Sequence, residues 1–273
     1  MQCLTSLFAQ DLSSYRVSLD VVVVDDGSTD GTAAEITRNF PNTHIIRASG
    51  DLFWAGAMAL GEREARRLFS PEFLLWLNDD VELDPGALGT LLAAHEVLAA
   101  EARPGIVVGA VRDPETQAIS YSGVRRVDRH PLHYEVVQPD GRLDEADTFN
   151  GNVVLVPRAV YEIVSGIDGS FAHAQADFDY GLRARKGGFP IVVAPIAVGT
   201  CTRGGPDGTW HDRSLPVGRR WRLVFSRKGL PPRSHARYLR RHGGRAWPLW
   251  WISPYVKFAL SSLRDVGPKP RAS

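Results

Sequence analysis

Residues 18–32, SLDVVVVDDGSTDGT, set four consecutive valines, Val21 to Val24, directly against Asp25, Asp26 and Gly27. An uncharged β-branched run without polar alternation is the pattern of a strand covered on both faces, which points to a parallel sheet flanked by helices. Upstream, CLTSLFAQ (3–10) sets Leu4, Leu7 and Phe8 on one helical face. Downstream, AAEITRNF (33–40) reads as a helix and HIIRA (44–48) as a strand. AGAMALGEREARRLF (55–69) reads as a helix with a Glu62–Arg66 i,i+4 pair expected on a solvated face. The strand FLLWLNDDVELD (73–84) leads into PGALGTLLAAHEVLAAEA (85–102), a helix with Pro85 near its start. IVVGAV (106–111) is a strand, and 121–141 reads as a hairpin or an irregular insertion. GNVVLVPRAVYEIVSG (151–166) is a strand running into a helix, ADFDYGLRARKGG (176–188) a helix stopped by glycines, and IVVAPIAVGT (191–200) a last strand. This alternation predicts an α/β fold with a Rossmann-like, mainly parallel central sheet and helices on both faces.

The composition agrees. Of 273 residues, 44% are hydrophobic and 23% charged, which excludes a disordered, collagenous or disulfide-stapled chain. Cys3 and Cys201 form no CxxC pair and no disulfide framework, so a reducing, cytoplasmic setting is expected. The start has no leader pattern, and no long uncharged apolar run predicts a membrane span. Charge is split along the chain: residues 1–212 carry 17 basic against 30 acidic residues, and residues 213–273 carry 15 against 1. The expected organisation is a body over 1–205 and a basic, Trp-rich extension over 206–273.

Two strands end in paired acids, Asp25–Asp26 and Asp79–Asp80, the latter preceded by Asn78. Ligands of open parallel sheets bind outside the carboxyl ends of the strands, so both pairs are expected at one crevice. Carboxylates gathered there repel one another unless a cation or hydrogen-bond donors share the site. A hard divalent cation that grips a diphosphate needs only one or two of them. The alternative is that these acids are strand-end caps and Asx-turns.

The ordered blocks VVVVDDGSTDGT, DLFWAGAMALG, FLLWLNDDVELDPGAL, NGNVVLVPRAVYEIVSGIDGSF and ADFDYGLRARKGGFPIVVAP resemble family 2 glycosyltransferases, in particular the bacterial rhamnosyltransferase-like branch. The resemblance covers about residues 1–205. It implies a GT-A fold, a UDP- or dTDP-sugar donor, Mg2+ or Mn2+, and inversion during hexosyl transfer to a glycan or lipid-linked acceptor. It also implies residue roles. Asp26 reads the nucleotide base with Asp25 beside it; Asn78, Asp79 and Asp80 form the DxD-type triplet, with Asp79 near ribose or sugar and Asp80 on the metal. Asp177 is the general base, against the plainer reading of a helix N-terminal acid. Asn150, Gly151 and Asn152 face the acceptor or form a turn. Trp54 stacks on a sugar or lies in the core, and Asp168 reads as a turn residue.

This chain departs from the family pattern in three places. The Glu expected before Asp177 is Ala176. The histidine often found after the last strand is replaced by Gly199, Thr200 and Cys201, with His211 either a substitute or a loop residue. The family's opening strand is also missing before the first helix, so a truncated or mis-started chain and an unpaired edge on the valine strand are expected.

The tail orders cations, including Arg220 and Arg240, before Trp247, Trp250, Trp251 and Tyr255. It is read as meeting an anionic membrane surface, as a peripheral attachment, rather than nucleic acid; the alternative is a helical face packed on the acidic body. A sugar nucleotidyltransferase and a non-catalytic sugar-nucleotide or glycan-binding relative stay open as other functions.

Overall fold

The structure is a computed structural model that describes residues 1–128, 130–172 and 175–265. The chain divides into two compact units, Met1–Arg203 and Gly204–Ser273.

The first unit runs α1 (Gln2–Phe8), β1 (Val22–Asp25), α2 (Thr32–Asn39), β2 (His44–Arg47), α3 (Phe53–Phe69), β3 (Phe73–Leu77), β4 (Glu82–Leu83), α4 (Ala87–Ala100) and β5 (Ile106–Arg112). It continues with β6 (Ile119–Tyr121), β7 (Gly123–Arg126), β8 (Tyr134–Val136), β9 (Asp144–Glu145), β10 (Thr148–Phe149), β11 (Val153–Pro157), α5 (Arg158–Val164), α6 (Ala176–Lys186) and β12 (Ile191–Thr200). β5 and β12 pair parallel, as do β1 and β2. β11 runs antiparallel to both β3 and β5, so β3, β5 and β12 share one direction. Three of the four strands longer than three residues in the central sheet, β3, β5 and β12, therefore share one direction, with β11 reversed between β3 and β5 and the short β6, β9 and β4 added antiparallel. Within 121–141, β7 and β8 pair antiparallel as a hairpin, which β10 extends to a three-stranded sheet.

The hydrophobic centre lies on β5 and β12. Val107, Val111, Val192 and Ala194 pack with Leu88, Leu91 and Leu98 of α4 on one face. Their alternating neighbours Ile106, Val108, Ile191 and Val193, which point the other way, are fully buried too. Both faces of these strands are thus covered.

The valine strand itself differs from its reading. Val22 to Val24 are only half-buried, and β2 is the sole strand partner of β1 among the described residues. With one edge unpaired, β1 lacks the neighbours that enclose β5 and β12.

A second difference concerns Glu62. The Glu62–Arg66 pair forms at 3.6 Å, but Glu62 is buried, not solvated, and accepts the Ile167 amide at 3.2 Å. Burial raises its carboxyl above the ordinary range despite that amide and Arg66. Beside it, Arg183 of α6 bonds the buried Asp179 at 2.8 Å and the carbonyls of Val164 and Gly166. This polar network ties α3, α6 and the 164–167 loop together.

The second unit contains α7 (Val217–Phe225), α8 (Pro232–His242) and α9 (Trp247–Asp265). Val224, Tyr255 and Phe258 form its core, with Trp210, Trp221, Leu230 and Trp251 packed around them. The Trp251 indole donates to the Pro232 carbonyl and the Tyr255 hydroxyl to the Leu230 carbonyl. Arg220, read from the sequence as one of the surface cations, is instead buried. It donates to the Trp210 carbonyl and lies over the Phe258 ring. No helix of the described residues is long and apolar enough to cross a membrane.

Candidate active site

The reversed strand decides the geometry of the site. β11 begins where β3 ends, Val153 opposite Leu77, so the Asn150–Asn152 segment enters beside Asn78, whose amide donates to the Asn152 carbonyl at 3.0 Å. Two sequence blocks separated by some seventy residues thereby meet at the carboxyl ends of the sheet.

Asp79 and Asp80 sit exposed on the turn that follows β3. They line a cleft of ≈210 Å³ with Cys3, Thr200, Cys201 and Thr202, the last three at the end of β12. Both thiols are free and buried. Burial, with Asp79 and Asp80 adding negative potential, pushes Cys3 up to about 11 and Cys201 to about 12, so both are neutral thiols at physiological pH. Cys3 donates to the Asn78 carbonyl at 3.3 Å, and the buried Asn152 amide reaches the Cys201 sulfur at 3.7 Å. The sequence reading treated Cys201 only as a missing histidine and gave Cys3 no role. Their common wall around the acidic turn is visible only in three dimensions.

Among the described residues no group of three or more His, Cys, Asp and Glu is arranged to hold a metal ion. The exposed Asp79–Asp80 turn does offer one or two carboxylates to an open cleft. That suits a hard cation that takes its other ligands from water and substrate phosphate. His211 belongs to the second unit and packs against Trp210, with ring centroids 3.6 Å apart and the rings tilted by 34°.

Asp25 and Asp26 do different work. Asp25 is buried and accepts the Ser28 amide at 2.9 Å; the Ser28 hydrogen bonds hold its carboxyl below the ordinary range. Asp26 accepts Gly50 N on Oδ1 and both Leu52 N and Phe53 N on Oδ2, all at 2.9 Å. It therefore satisfies orphan amides at the start of α3, a cap from a residue outside the helix. A carboxylate has about four acceptor positions, so after three bonds Asp26 keeps about one, on Oδ1.

The start of α3 delivers Trp54. Its indole N–H donates to Asn78 Oδ1 at 2.8 Å, and its ring packs edge-on to Trp76, which in turn meets Phe149 and Tyr180. Half-buried, Trp54 thus holds the side chain of Asn78, the first position of the triplet. A Cβ on Gly151 would stand 2.6 Å from the Trp54 ring and 3.4 Å from Asp177 Cβ, so only glycine allows this approach.

Asp177 lies at the N-terminal turn of α6, where Oδ1 accepts its neighbour's amide, Phe178 N, at 2.8 Å and Oδ2 accepts Gly151 N at 3.2 Å. Burial raises it to about 6, against the pull of those amides. The helix carrying it is pressed onto β10: a Cβ on Gly181 would lie 2.3 Å from Thr148 Oγ1, and that hydroxyl donates to the Phe178 carbonyl. Ala176 is fully buried. Asn150 donates its amide to the Ser122 carbonyl, and Asp168 accepts the Ser170 amide in a turn. Trp54, Asn78, Gly151 and Asp177, from four separate blocks, are thus brought together.

Gly151→Ala tests this packing. Forcing the indole aside is expected to cost about 1–3 kcal/mol of stability. By displacing Asn78 and Asp177 it should lower turnover roughly tenfold. Thermal melts and steady-state kinetics read the two effects.

The chain is 25% identical over 204 residues to N-acetylglucosaminyl-diphospho-decaprenol L-rhamnosyltransferase of two Mycobacterium tuberculosis strains, CDC 1551 / Oshkosh and ATCC 25618 / H37Rv. The match covers 66% of this chain and 65% of those relatives, so it spans just under two thirds of their length. Among solved structures, GalNAc-T7 with UDP, GalNAc and Mn2+ superposes with a TM-score of 0.53 at 12% identity, covering 94% of this chain and 54% of that one. The mannosyltransferase PcManGT from Pyrobaculum calidifontis, in complex with GDP-Man and Mn2+, gives 0.50 at 19%, covering 98% and 72%. These likenesses give the fold, that of GT-A glycosyltransferases. The family model "Glycosyl transferase family 2" matches residues 1–149, more than half of the sequence, and the chain belongs to that family.

Proposed function

We propose that this chain transfers a sugar, with inversion, from a UDP- or dTDP-sugar to a hydroxyl of a lipid-linked acceptor in bacterial cell-surface polysaccharide synthesis. Rhamnose is the donor sugar that the mycobacterial relatives support. The observation that carries the reading is Asp177: a carboxylate raised to about 6, held by Gly151 N at the carboxyl ends of the sheet on a different element from Asp79 and Asp80. Inverting transfer needs that separation. A base must take the acceptor proton on the face opposite the leaving diphosphate.

In this reading Asp177 accepts the proton of the acceptor hydroxyl as the new C–O bond forms, while the bond from the anomeric carbon to the diphosphate breaks and the nucleoside diphosphate leaves. Asp80, with Asp79 near ribose or sugar, would hold Mg2+ or Mn2+; such a cation neutralises charge on the leaving diphosphate. Asp26 offers its remaining acceptor position to the imide N–H that uracil and thymine share, with Asp25 shaping the turn. Asn150 and Asn152 border the acceptor side. The catalytic unit works at the cytoplasmic face, where nucleotide sugars are made.

The test is transfer by the purified chain from UDP-, dTDP- and GDP-sugars, with Mn2+ and a polyprenyl-diphosphate-linked sugar, with the product anomer read by NMR. Transfer from a UDP- or dTDP-sugar with inverted configuration is expected. A retained anomer would remove the Asp177 mechanism, and donor binding without any turnover would make the chain a binding relative.

A further inference from the structure

The second unit presents an apolar stripe that its own core does not use. In α9 the residues Trp251, Tyr255, Phe258 and Ser262 face inward. Leu249, Ile252, Val256, Leu260 and Leu263 are exposed, by 43 to 72%. Their spacing of three, four, four and three residues is that of one helical face. At 100° per residue they fall within an arc of about 80°, and at 1.5 Å per residue they extend for about 21 Å. The helix holds through Pro254, which cannot bond the Trp250 carbonyl; the Ser253 hydroxyl donates to that carbonyl instead at 3.1 Å.

The segment that carries the stripe has charge of almost one sign. Residues 213–264 hold 13 Lys and Arg and no Asp or Glu. Arg222, Lys228, Arg233, Arg240, Arg245 and Lys257 are exposed. The aromatic residues do not form one interfacial group: Tyr255 is buried, Trp251 packs against the core, and Trp247 lies beneath the Arg240 guanidinium. The aliphatic stripe, a feature that the sequence reading did not single out, carries the exposed apolar surface.

We infer that α9 docks in the plane of an anionic lipid bilayer, its stripe among the headgroups and upper acyl chains and the surrounding cations on lipid phosphates. A second copy would bring the same excess of positive charge against itself. A line of exposed aliphatic side chains on a segment with this excess of exposed cations suits a headgroup layer, which supplies an apolar interior and negative charge together. The helix does not have the length and apolar character to cross. Such docking would hold the chain at the surface where a lipid-linked acceptor resides. The inference stands apart from the sugar-transfer reading, since vesicle binding is measured with neither donor nor acceptor.

The experiment is co-sedimentation of the full chain with phosphatidylcholine vesicles and with phosphatidylcholine–phosphatidylglycerol vesicles, at low and high salt. The wild type should bind the anionic vesicles and weaken in salt. Leu249→Ser/Leu260→Ser/Leu263→Ser should lower the partition coefficient on the order of 10²-fold or more, with its melting temperature unchanged. Arg233→Glu/Lys257→Glu provides a second variant that leaves the stripe intact and should weaken binding at least about tenfold. Donor turnover should be untouched in both. Equal binding by the stripe variant, equal binding to neutral vesicles, or a lipid-free dimer that the stripe variant splits would each overturn the inference.

Discussion

Asp177→Asn should lower sugar transfer by roughly 10²- to 10⁴-fold while leaving donor affinity nearly unchanged, because the group acts on the acceptor proton and not on the nucleotide. The pH profile supplies a second signature. With its carboxyl raised to about 6, Asp177 is protonated below that pH, so wild-type turnover should fall as pH drops through 6, and the Asn variant should lose that limb. The sign for stability is opposite. A carboxyl raised above its unfolded value of 3.8 favours the fold while protonated, and that contribution is lost as pH rises through about 6. At pH 7 the ionised group is a cost, which its removal relieves. Against this, Asn can accept only one of the two amides, Phe178 N or Gly151 N, that the carboxylate now accepts. Thermal melts at pH 7 should therefore lie close to wild type. A variant that loses donor binding and turnover equally would make Asp177 structural.

Asp80→Ala should remove metal-dependent turnover, by on the order of 10³-fold or more, since a Lewis-acid cation contributes several kcal/mol to a leaving diphosphate. The fold should survive, because Asp80 is exposed on a turn and its removal empties no core volume. The readout that separates the metal from the chemistry is stabilisation by ligand: Mn2+ with UDP should raise the melting temperature of the wild type and not of the variant. Wild-type turnover in Asp80→Ala would show the metal assignment to be wrong.

Much of the fold was legible because hydrophobic period and strand-end chemistry are local. VVVVDDGS, FLLWLNDD, IVVGAV and IVVAPIAVGT each carry their own signal, and all four form strands. Helices such as Ala87–Ala100 follow from a long run of strong formers. The sequence missed burial. Val21 to Val24 looked like the covered centre, yet β5 and β12 occupy it, because coverage depends on neighbours on both edges and both faces. Glu62 looked solvated for the same reason: the helical period shows which residues share a face, not what packs against it.

The site divides in the same way. Residue types at strand ends, Asp25–Asp26 and Asn78–Asp80, and the acid opening α6 are properties of the chain read in order, and by themselves they marked the crevice and the family. What each carboxylate does was decided by tertiary structure. Asp26 caps α3 from a distant loop, Trp54 reaches Asn78, Cys201 lies beside Asp80, and Gly151 meets Asp177. None of these partners is close in sequence. A hydrogen bond or a desolvation penalty depends on distance in space, and it takes the packed sheet, with β11 reversed at the end of β3 to bring Asn150–Asn152 beside Asn78, to put those blocks within reach of one another.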